Sequence, residues 1–419
     1  MLNTTSSTIE IDFSASQPYK YLAGQLRSQN KRRGWESFAL APTENDPSAF
    51  PNACAPIAGV IDHFRRQHKI DIECTWEGSG TYLDRTGTAT PFVVREHFES
   101  ALLAHPLDKV WKFNSPEEVN AYVNAICKEM RESVDTQEGY LTGIEWCLNE
   151  SMDNVLQHSE SEYGYVMGQI IESQKRLSIC IFDNGRGIYN SLLGTKHNPT
   201  SPLDAITKAL QERVTRDESV GQGNGMWGLS EIVQENAGSF RVVSNGATCF
   251  HANGITKTFA SGGMQYNSEN LGTTLIDFQL DYSKKIDVAK ALHGHEPVKL
   301  WLENRENITG DHVIKLSEES SGTGTRKAGE RMRHLAINIL REGQKKVVFD
   351  FDKVNVISSS YADELFGKLV REIGFSQFLN CFQMINTTSL QRNVIDRSVQ
   401  QRMAQMYYDP SISDDADHE

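Results

Sequence analysis

The chain has 419 residues, of which 38% are hydrophobic and 23% charged, proportions that are typical of globular proteins and exclude a largely disordered chain. Its 42 lysine and arginine residues against 55 aspartate and glutamate residues give a formal net charge of −13, which argues against generic nucleic-acid or anionic-membrane binding, because such partners require cationic surface. The N-terminus lacks a signal-peptide pattern, and no stretch approaches the ~20 apolar residues of a membrane span. We therefore expect a cytoplasmic protein of two or three domains that binds no membrane.

The seven cysteines are scattered, and no two of them have the two-residue spacing of zinc or redox motifs. Their odd number, without signs of secretion, argues against a disulfide framework. We expect reduced core residues at Cys54, Cys74, Cys127, Cys147, Cys180, Cys249 and Cys381.

Residues 1–114 are expected to form a first α/β domain. Residues 9–13 and 70–74 alternate apolar and polar side chains as strands do, and residues 55–67 have apolar positions at helical spacing. The pattern predicts a strand, a helix and a strand with a long connection.

Residues 115–282 are expected to form a second, mixed α/β domain. It opens with Ser115, Pro116 and Glu118, which have the pattern of a helix capping box. The predicted helices span residues 116–132, 138–157, 202–214 and 226–235. The predicted strands span residues 165–171, 177–182, 240–244 and 274–280.

A polar stretch predicts a linker over residues 283–309, and residues 310–405 are expected to form a third domain. Its predicted strands span residues 313–316, 347–351 and 382–385. One predicted helix ends near residue 342, and two others span residues 360–373 and 389–404. Such alternation favours a sheet covered by helices. Residues 406–419 are expected to be an acidic tail.

Glu150 and Asn154 lie four residues apart in the predicted helix 138–157, and His158 follows at the same spacing directly after its last residue, so the three share one helical face. A carboxylate beside a carboxamide suits a site in which Glu150 activates a hydroxyl and the Asn154 oxygen completes the shell of an Mg²⁺ ion. The alternative is the solvated polar face of a surface helix.

Asp183, Gly185 and Gly187 directly follow the predicted strand 177–182. A carboxylate at the end of a strand can lie at the edge of a pocket and accept a hydrogen bond from an adenine amino group, while the two glycines leave room for the base. The alternative is a simple turn, for which Asp-Asn-Gly is also a favourable sequence.

Glycines recur where a predicted loop enters the helix 226–235, so that backbone N–H groups can face an anion such as a triphosphate. A flexible loop is the alternative. These glycines are Gly221, Gly223, Gly225 and Gly228. Thr273 and Thr274, at the start of the last strand, can place hydroxyl groups beside the base.

In this order, the four motifs resemble the N, G1, G2 and G3 boxes of the GHKL ATP-binding superfamily, which includes gyrase-type ATPases, large heat-shock chaperones and histidine kinases. The resemblance covers about residues 116–282. It implies a helix and sheet sandwich that binds ATP, with Asp183 on adenine, Asn154 on Mg²⁺ and a mobile lid over about residues 188–228. One of the basic lid residues would meet the γ-phosphate: Lys196, Lys208, Arg213 or Arg216.

This sequence differs from many members of the superfamily at two residues. Trp227 stands where the common pattern has less bulky residues, and we expect its indole to pack beneath the phosphate loop. Glu150 stands where many histidine kinases have Asn, whereas hydrolysing members and anti-sigma-factor serine kinases have Glu. The predicted helix 116–132 also contains no histidine that could accept phosphate. The sequence therefore points away from a histidine kinase.

Residues 350–362 run from a predicted strand through a serine-rich turn into a helix. They resemble the STAS domains of anti-anti-sigma factors, in which a serine at the position of Ser360 accepts phosphate, although Ser358 and Tyr361 replace the usual acid and glycine. The resemblance covers about residues 310–405. The alternative is that the serines only cap the following helix. The first domain has a similar but fainter STAS-like layout.

The expected fold is an α/β and α+β multidomain protein, in which a central GHKL sandwich of helices on a mixed sheet is flanked by STAS-like α/β domains. The resemblance implies ATP and Mg²⁺ as cofactors of a regulatory ATPase that acts as a nucleotide-gated switch with slow hydrolysis. Two alternatives stay open: a serine kinase acting on a STAS-domain serine, and a non-catalytic nucleotide-dependent scaffold, for instance in bacterial stress signalling or defence. A STAS-like or other regulatory protein is the expected partner, and a homodimer is a further option.

Overall fold

The computed structural model describes residues 7–44, 47, 49–212, 214, 225–260 and 272–408. Contacts divide the chain into two compact units, of which the first comprises residues 1–129 and 142–296 and the second comprises residues 130–141 and 297–419. Four residues that the sequence assigned to the site or its lid lie outside the described residues, namely Gly221, Gly223, Arg213 and Arg216.

The first unit begins with a three-stranded parallel sheet. Strand β1 (Ser7–Ile11) pairs with β2 (Ser37–Pro42), which pairs with β3 (Asp71–Cys74). Helices α1 (Pro18–Arg33) and α2 (Pro51–Gln67) connect the strands. The sequence pattern predicted β1, α2 and β3, whereas α1 and β2 lie in the stretch expected to be a long connection.

Side chains between residues 9 and 110 share one hydrophobic core with the strands that follow them. Helix α2 packs so closely on these strands that a Cβ atom on Gly59 would lie 2.6 Å from the Phe182 ring. Asn52 of α2 also donates a hydrogen bond of 3.2 Å to the Asp277 carboxylate. The domain boundary expected at residue 114 therefore falls inside the first compact unit.

A large mixed sheet forms the centre of the first unit. Short elements lead to it: α3 (Tyr82–Arg85), β4 (Phe92–Val93), a 3-10 turn (Val94–His97), α4 (Ala101–Ala104) and β5 (Trp111–Phe113). Its longer strands are β6 (Gly164–Ile171), β7 (Arg176–Asp183), β8 (Ser239–Ser244), β9 (Ala247–Ala252), β10 (Ile255–Ala260) and β11 (Thr274–Asp281). The eight strands have the order β10-β9-β8-β11-β7-β6-β5-β4. The antiparallel register places Asp183, the last residue of β7, opposite Thr274, the first residue of β11.

Helices pack on both faces of the large sheet. Helix α2 lies on one face. The helices that follow β5 in the first unit are α5 (Pro116–Ser133), α6 (Tyr140–Asn154) with a π-helical turn (Val155–Ser159), α7 (Gly187–Leu192), α8 (Pro202–Ala209) and α9 (Gly225–Glu235), with a 3-10 turn (Glu172–Gln174) between β6 and β7. Tyr165 and Met167 of β6 face the core shared with α2. Gly168 alternates with them and approaches Ile126 of α5 on the opposite face.

The predicted linker over residues 283–309 is divided between the two units. Helix α10 (Val288–Ala291) belongs to the first unit, in which Ile286 and Leu292 are buried. Apolar side chains within this polar stretch explain the difference, because they give it a surface to bury.

The second unit is built on a three-stranded parallel sheet in the order β12-β13-β14, formed by β12 (His312–Lys315), β13 (Val347–Asp350) and β14 (Phe382–Ile385). Its helices are α11 (Leu300–Glu303), α12 (Leu316–Glu319), α13 (Arg326–Gly343), α14 (Ser359–Ala362), a π-helical turn (Asp363–Gly367), α15 (Lys368–Ile373), α16 (Phe375–Cys381) and α17 (Ser389–Tyr408). Residues 130–141, which comprise the turn between α5 and α6 with the last residues of α5 and the first two of α6, belong to this unit as well.

The expected α/β multidomain class is confirmed, with a large mixed sheet and two smaller parallel sheets. Six of the seven cysteines are buried, as expected of core residues, whereas Cys381 is half-buried. Among the helices that the structure describes, each is too short or too polar to cross a bilayer.

Candidate functional site

A cavity of about 450 Å³ opens in the first unit. This volume lies within the range of roughly 300–1,000 Å³ that is usual for small-molecule sites. Its walls come from α6, from the ends of β7 and β11, from α7 and α9, and from the segment after the sheet. The lining includes Trp146, Glu150, Asp153, Asn154, His158, Asp183, Gly187, Ile188, Ser191, Leu192, Gly225, Met226, Trp227, Thr274, Ile276, Leu292 and His295.

Helix α6 contributes one wall, and Glu150 and Asn154 both line the cavity as their four-residue spacing predicts. His158 also lines it, although the helix has passed into the π-helical turn at that point. Trp146, one turn before Glu150, lies on the same wall. This face of α6 is therefore not a solvated surface face.

Burial and the nearby charge of Asp153 raise the pKa of the Glu150 carboxyl above its usual value. The Asn154 Nδ2 atom is buried, and no residue that the structure describes accepts a hydrogen bond from it. An unpaired buried amide costs free energy, so a polar ligand group at this position would be bound favourably.

Gly225, the first residue of α9, lies directly against α6. A Cβ atom on Gly225 would lie 2.7 Å from a Glu150 carboxylate oxygen and 3.1 Å from the Asn154 amide nitrogen. Gly228, one turn later, faces the Trp146 ring so closely that a Cβ atom would overlap it. Both glycines therefore allow the N-terminus of α9 to approach the polar wall of α6. The Trp227 indole is buried and packs against the His293 ring, with ring centroids 4.8 Å apart.

Asp183 ends β7 at the floor of the cavity, and its side chain is almost fully buried. The Gly185 backbone N–H donates a hydrogen bond of 2.8 Å to the Asp183 carboxylate, and the Thr274 side chain bonds it as well. Burial nevertheless dominates and raises the pKa of Asp183 to about 7. Thr273 is also buried, but it does not line the cavity.

Two glycines expected to leave room for a base, Gly185 and Gly187, lie where a side chain would meet a neighbouring segment. The space where Gly185 would carry a Cβ atom is occupied by the Ser159 carbonyl, and the corresponding space at Gly187 is occupied by the Asn245 side chain. Gly187 also has a positive φ of 76°, which favours glycine. Only Gly187 of this pair lines the cavity.

Several residues that line the cavity do not belong to the sequence motifs. Ser191 and Leu192 come from α7, and Leu292 and His295 come from the segment expected to be a linker. Nothing in their local sequence indicates a site, because their position depends on the packing of distant segments. Of the expected lid lysines, Lys208 bonds Asp204 at 2.9 Å and does not line the cavity, and neither does Lys196.

The serine-rich turn lies in the second unit. Ser358 caps α14, since its side chain accepts a hydrogen bond of 3.0 Å from the Tyr361 backbone N–H. The Ser360 hydroxyl is half-buried and lies 3.0 Å from the Ser358 hydroxyl. Ser358 is therefore the serine that caps α14, and Ser360 is not the capping residue.

The described residues contain no cluster of three His, Cys, Asp or Glu side chains arranged to hold a metal ion. A nucleotide-bound Mg²⁺ needs fewer protein ligands, because phosphate oxygens and water fill most of its shell. Asn154, beside Glu150 and the start of α9, fits that requirement.

Comparison with known proteins identifies the C-terminal region. A family model described as a STAS-like domain of unknown function (DUF4325) matches residues 328–391. No curated protein shows significant similarity to the chain. Among solved structures, the 43K ATPase domain of gyrase B from Thermus thermophilus, in complex with an aminocoumarin, is 16% identical. That match covers 42% of this chain and 41% of the gyrase chain at a TM-score of 0.21, a weak likeness that does not itself establish a shared fold.

The buried Asp183 carboxyl predicts a pH-dependent stability of the ligand-free protein. Because its pKa is raised to about 7, the folded state retains a proton that the unfolded state loses near pH 4. Wild type should therefore lose stability relative to Asp183→Asn as the pH rises from about 4 to about 7, by about 2–4 kcal/mol. Thermal melts across this range, with the exposed Asp71→Asn as the control, measure it. If the melting temperatures of wild type and Asp183→Asn changed equally with pH, the raised pKa assigned to Asp183 would be contradicted.

Proposed function

We propose that the cavity of the first unit binds ATP with Mg²⁺ and that the protein is a regulatory ATPase, a nucleotide-gated switch with slow hydrolysis. One observation carries the proposal: residues from four separate sequence motifs line the same cavity. These residues are Glu150, Asn154, Asp183, Gly187, Gly225 and Thr274. A coincidence of four unrelated turns and helix faces would not bring these polar groups together around one ligand-sized volume.

Adenine would lie at the Asp183 end of the cavity. The carboxylate there is buried and paired with Thr274, so it can accept a hydrogen bond from the exocyclic amino group of the base. The triphosphate would lie towards the N-terminus of α9, where backbone N–H groups and the helix dipole favour negative charge. Gly225 keeps this approach free of a side chain.

Glu150 is the proposed base. When bound, Mg²⁺ would neutralise phosphate charge, with Asn154 as its protein ligand. The carboxylate of Glu150 can then take a proton from the attacking water, and its raised pKa makes it a better base near neutral pH. Closeness to Gly225 keeps its carboxylate at the phosphate end of the cavity.

A serine kinase is the second candidate. The match of residues 328–391 to a STAS-like family favours it, because the serine-rich turn falls inside this range. In this reaction Glu150 would accept the proton of Ser360 or of a serine on a partner protein, and the serine oxygen would bond to the γ-phosphorus of ATP as its bond to the β–γ bridging oxygen breaks and ADP leaves. A protein partner, a homodimer and a role in stress signalling or defence belong to the same proposal.

Asp183→Asn should bind ATP about 10- to 150-fold more weakly than wild type at pH 7.5, because a hydrogen bond to a charged acceptor contributes about 1.5–3 kcal/mol. The same variant is expected to gain stability relative to wild type as the pH rises from about 4 to about 7, and a thermal melt at pH 7.5 checks that weaker binding is not caused by unfolding. Calorimetric titration measures the affinity. Unchanged affinity would remove Asp183 from the adenine site.

Asn154→Ala should lose the part of ATP affinity that depends on Mg²⁺, because the ion loses its one proposed protein ligand. Titrations with Mg²⁺ and with EDTA measure this difference for each protein. Asn149→Ala, on the same helix but outside the cavity lining, is the matched control and should behave as wild type. Equal Mg²⁺ dependence in Asn154→Ala and wild type would contradict the proposed ligand.

Glu150→Gln should reduce turnover by about 10²–10⁴-fold while ATP affinity stays nearly constant, because the amide keeps the size of the side chain but loses its basicity. The control is Glu172→Gln, which changes an exposed carboxylate of the same unit outside the cavity lining and should retain activity. A folded Glu150→Gln protein with full turnover would refute the catalytic role.

Incubation of wild type with γ-labelled ATP identifies the reaction that Glu150 serves. Free labelled phosphate supports the ATPase, and labelled protein supports the serine kinase. Tight binding with neither product supports the non-catalytic scaffold.

A further inference from the structure

Asn338, in the middle of α13, is fully buried and makes four hydrogen bonds to the turn between α5 and α6. Its side-chain oxygen accepts from the Thr136 backbone N–H at 2.8 Å and from the Thr136 hydroxyl at 3.1 Å. Its amide nitrogen donates to the Arg131 carbonyl at 2.9 Å and to the Val134 carbonyl at 2.8 Å. The hydrogen-bonding capacity of the amide is thus fully used on this one turn.

Further side chains of α13 bind the same turn. Glu342, whose carboxylate is buried, accepts a hydrogen bond of 3.2 Å from the Leu141 backbone N–H, and Arg341 donates one of 2.9 Å to the Thr136 carbonyl. Arg331 forms an ion pair with Glu132 at 2.6 Å. Contacts at positions 331, 338, 341 and 342 lie on one face of α13 at helical spacing.

These contacts satisfy backbone groups that helix ends leave unpaired. Helix α5 ends at Ser133, so the Arg131 carbonyl belongs to its last turn. Helix α6 begins at Tyr140, so the Leu141 N–H belongs to its first turn. Side chains of α13 therefore cap both the end of α5 and the beginning of α6.

Helix α6 continues from this turn without interruption to the cavity wall. Nine residues separate Leu141 from Glu150, which corresponds to about 14 Å of helix. A continuous helix transmits a displacement of one end to the other, because its backbone hydrogen bonds resist bending. The position of its first turn therefore affects the position of Glu150 and Asn154.

We infer that Asn338, with Glu342, is a positioning residue for α6, through which the STAS-like domain controls the nucleotide site. The effect of this positioning on ATP binding rests on the proposed function. If α13 holds the turn in the arrangement that ATP requires, binding of ATP must in return stabilise the contact between α13 and the turn, because coupling between two sites is reciprocal.

The test uses the full chain and compares Asn338→Ala with Gln391→Ala. Gln391 is also a fully buried amide of the second unit, and it bonds Thr388 and Val354 but not the turn. Both variants should melt at lower temperature than wild type. Only Asn338→Ala should weaken the affinity for ATP with Mg²⁺, by about 5-fold or more. It should also increase amide hydrogen exchange over residues 146–154, none of which Asn338 contacts.

Reciprocal coupling adds a readout in the wild type, in which ATP should slow exchange over residues 134–142, and Asn338→Ala should abolish this effect. Faster exchange in the turn alone, with wild-type ATP affinity and unchanged exchange over residues 146–154, would overturn the inference.

Two results separate this inference from the proposed function. A wild type that binds no nucleotide refutes the function, and unchanged exchange over residues 146–154 in Asn338→Ala then refutes positioning as well. If Asn338→Ala does not fold, Thr136→Val removes only the hydroxyl bond of 3.1 Å, and the same two measurements decide.

Discussion

The antiparallel pairing of β7 with β11 is the constraint on which the candidate site depends. It brings Asp183 and Thr274 together, although 90 residues of chain lie between them. The pairing also forces a carboxyl group into a nearly water-free position, where the Gly185 N–H only partly compensates for lost hydration. A protein that keeps such a group at a cavity floor retains an unfavourable interaction that a hydrogen-bonding ligand can relieve.

Helix α6 is the second element that organises the site. Its inner face carries Trp146, Glu150 and Asn154 in succession, and the first turn of α9 lies against all three because Gly225 and Gly228 have no side chains. The glycines thus have two kinds of role. Those at the start of α9 allow an approach between two helices, whereas Gly185 allows the chain after β7 to pass the Ser159 carbonyl.

The STAS-like domain and the proposed ATP site are connected by continuous secondary structure. Residues 130–141 belong to the second unit, yet α6 extends from them to the cavity of the first. A regulatory switch needs an element with which both the ligand and the reading domain interact. Under the proposed function helix α6 would meet this description, since its first residues belong to the second unit, whereas Glu150 and Asn154 belong to the first.

The sequence by itself determined most helices and strands of the second half of the chain, because the periods of 2 and 3.6 residues are local properties. It also predicted Glu150, Asn154, Asp183 and Gly225 as site residues from motifs at element ends, and these four residues line one cavity.

Only the tertiary structure decided which segments join one core. Helix α2, which connects two strands of the first sheet, packs on the large sheet at Gly59, and the segment after the large sheet contributes Leu292 and His295 to the cavity. The turn after α5 likewise belongs with Asn338, some 200 residues later in the chain. Contacts of this kind depend on close approach and buried hydrogen bonds between distant residues, which leave no periodic signal in the local sequence.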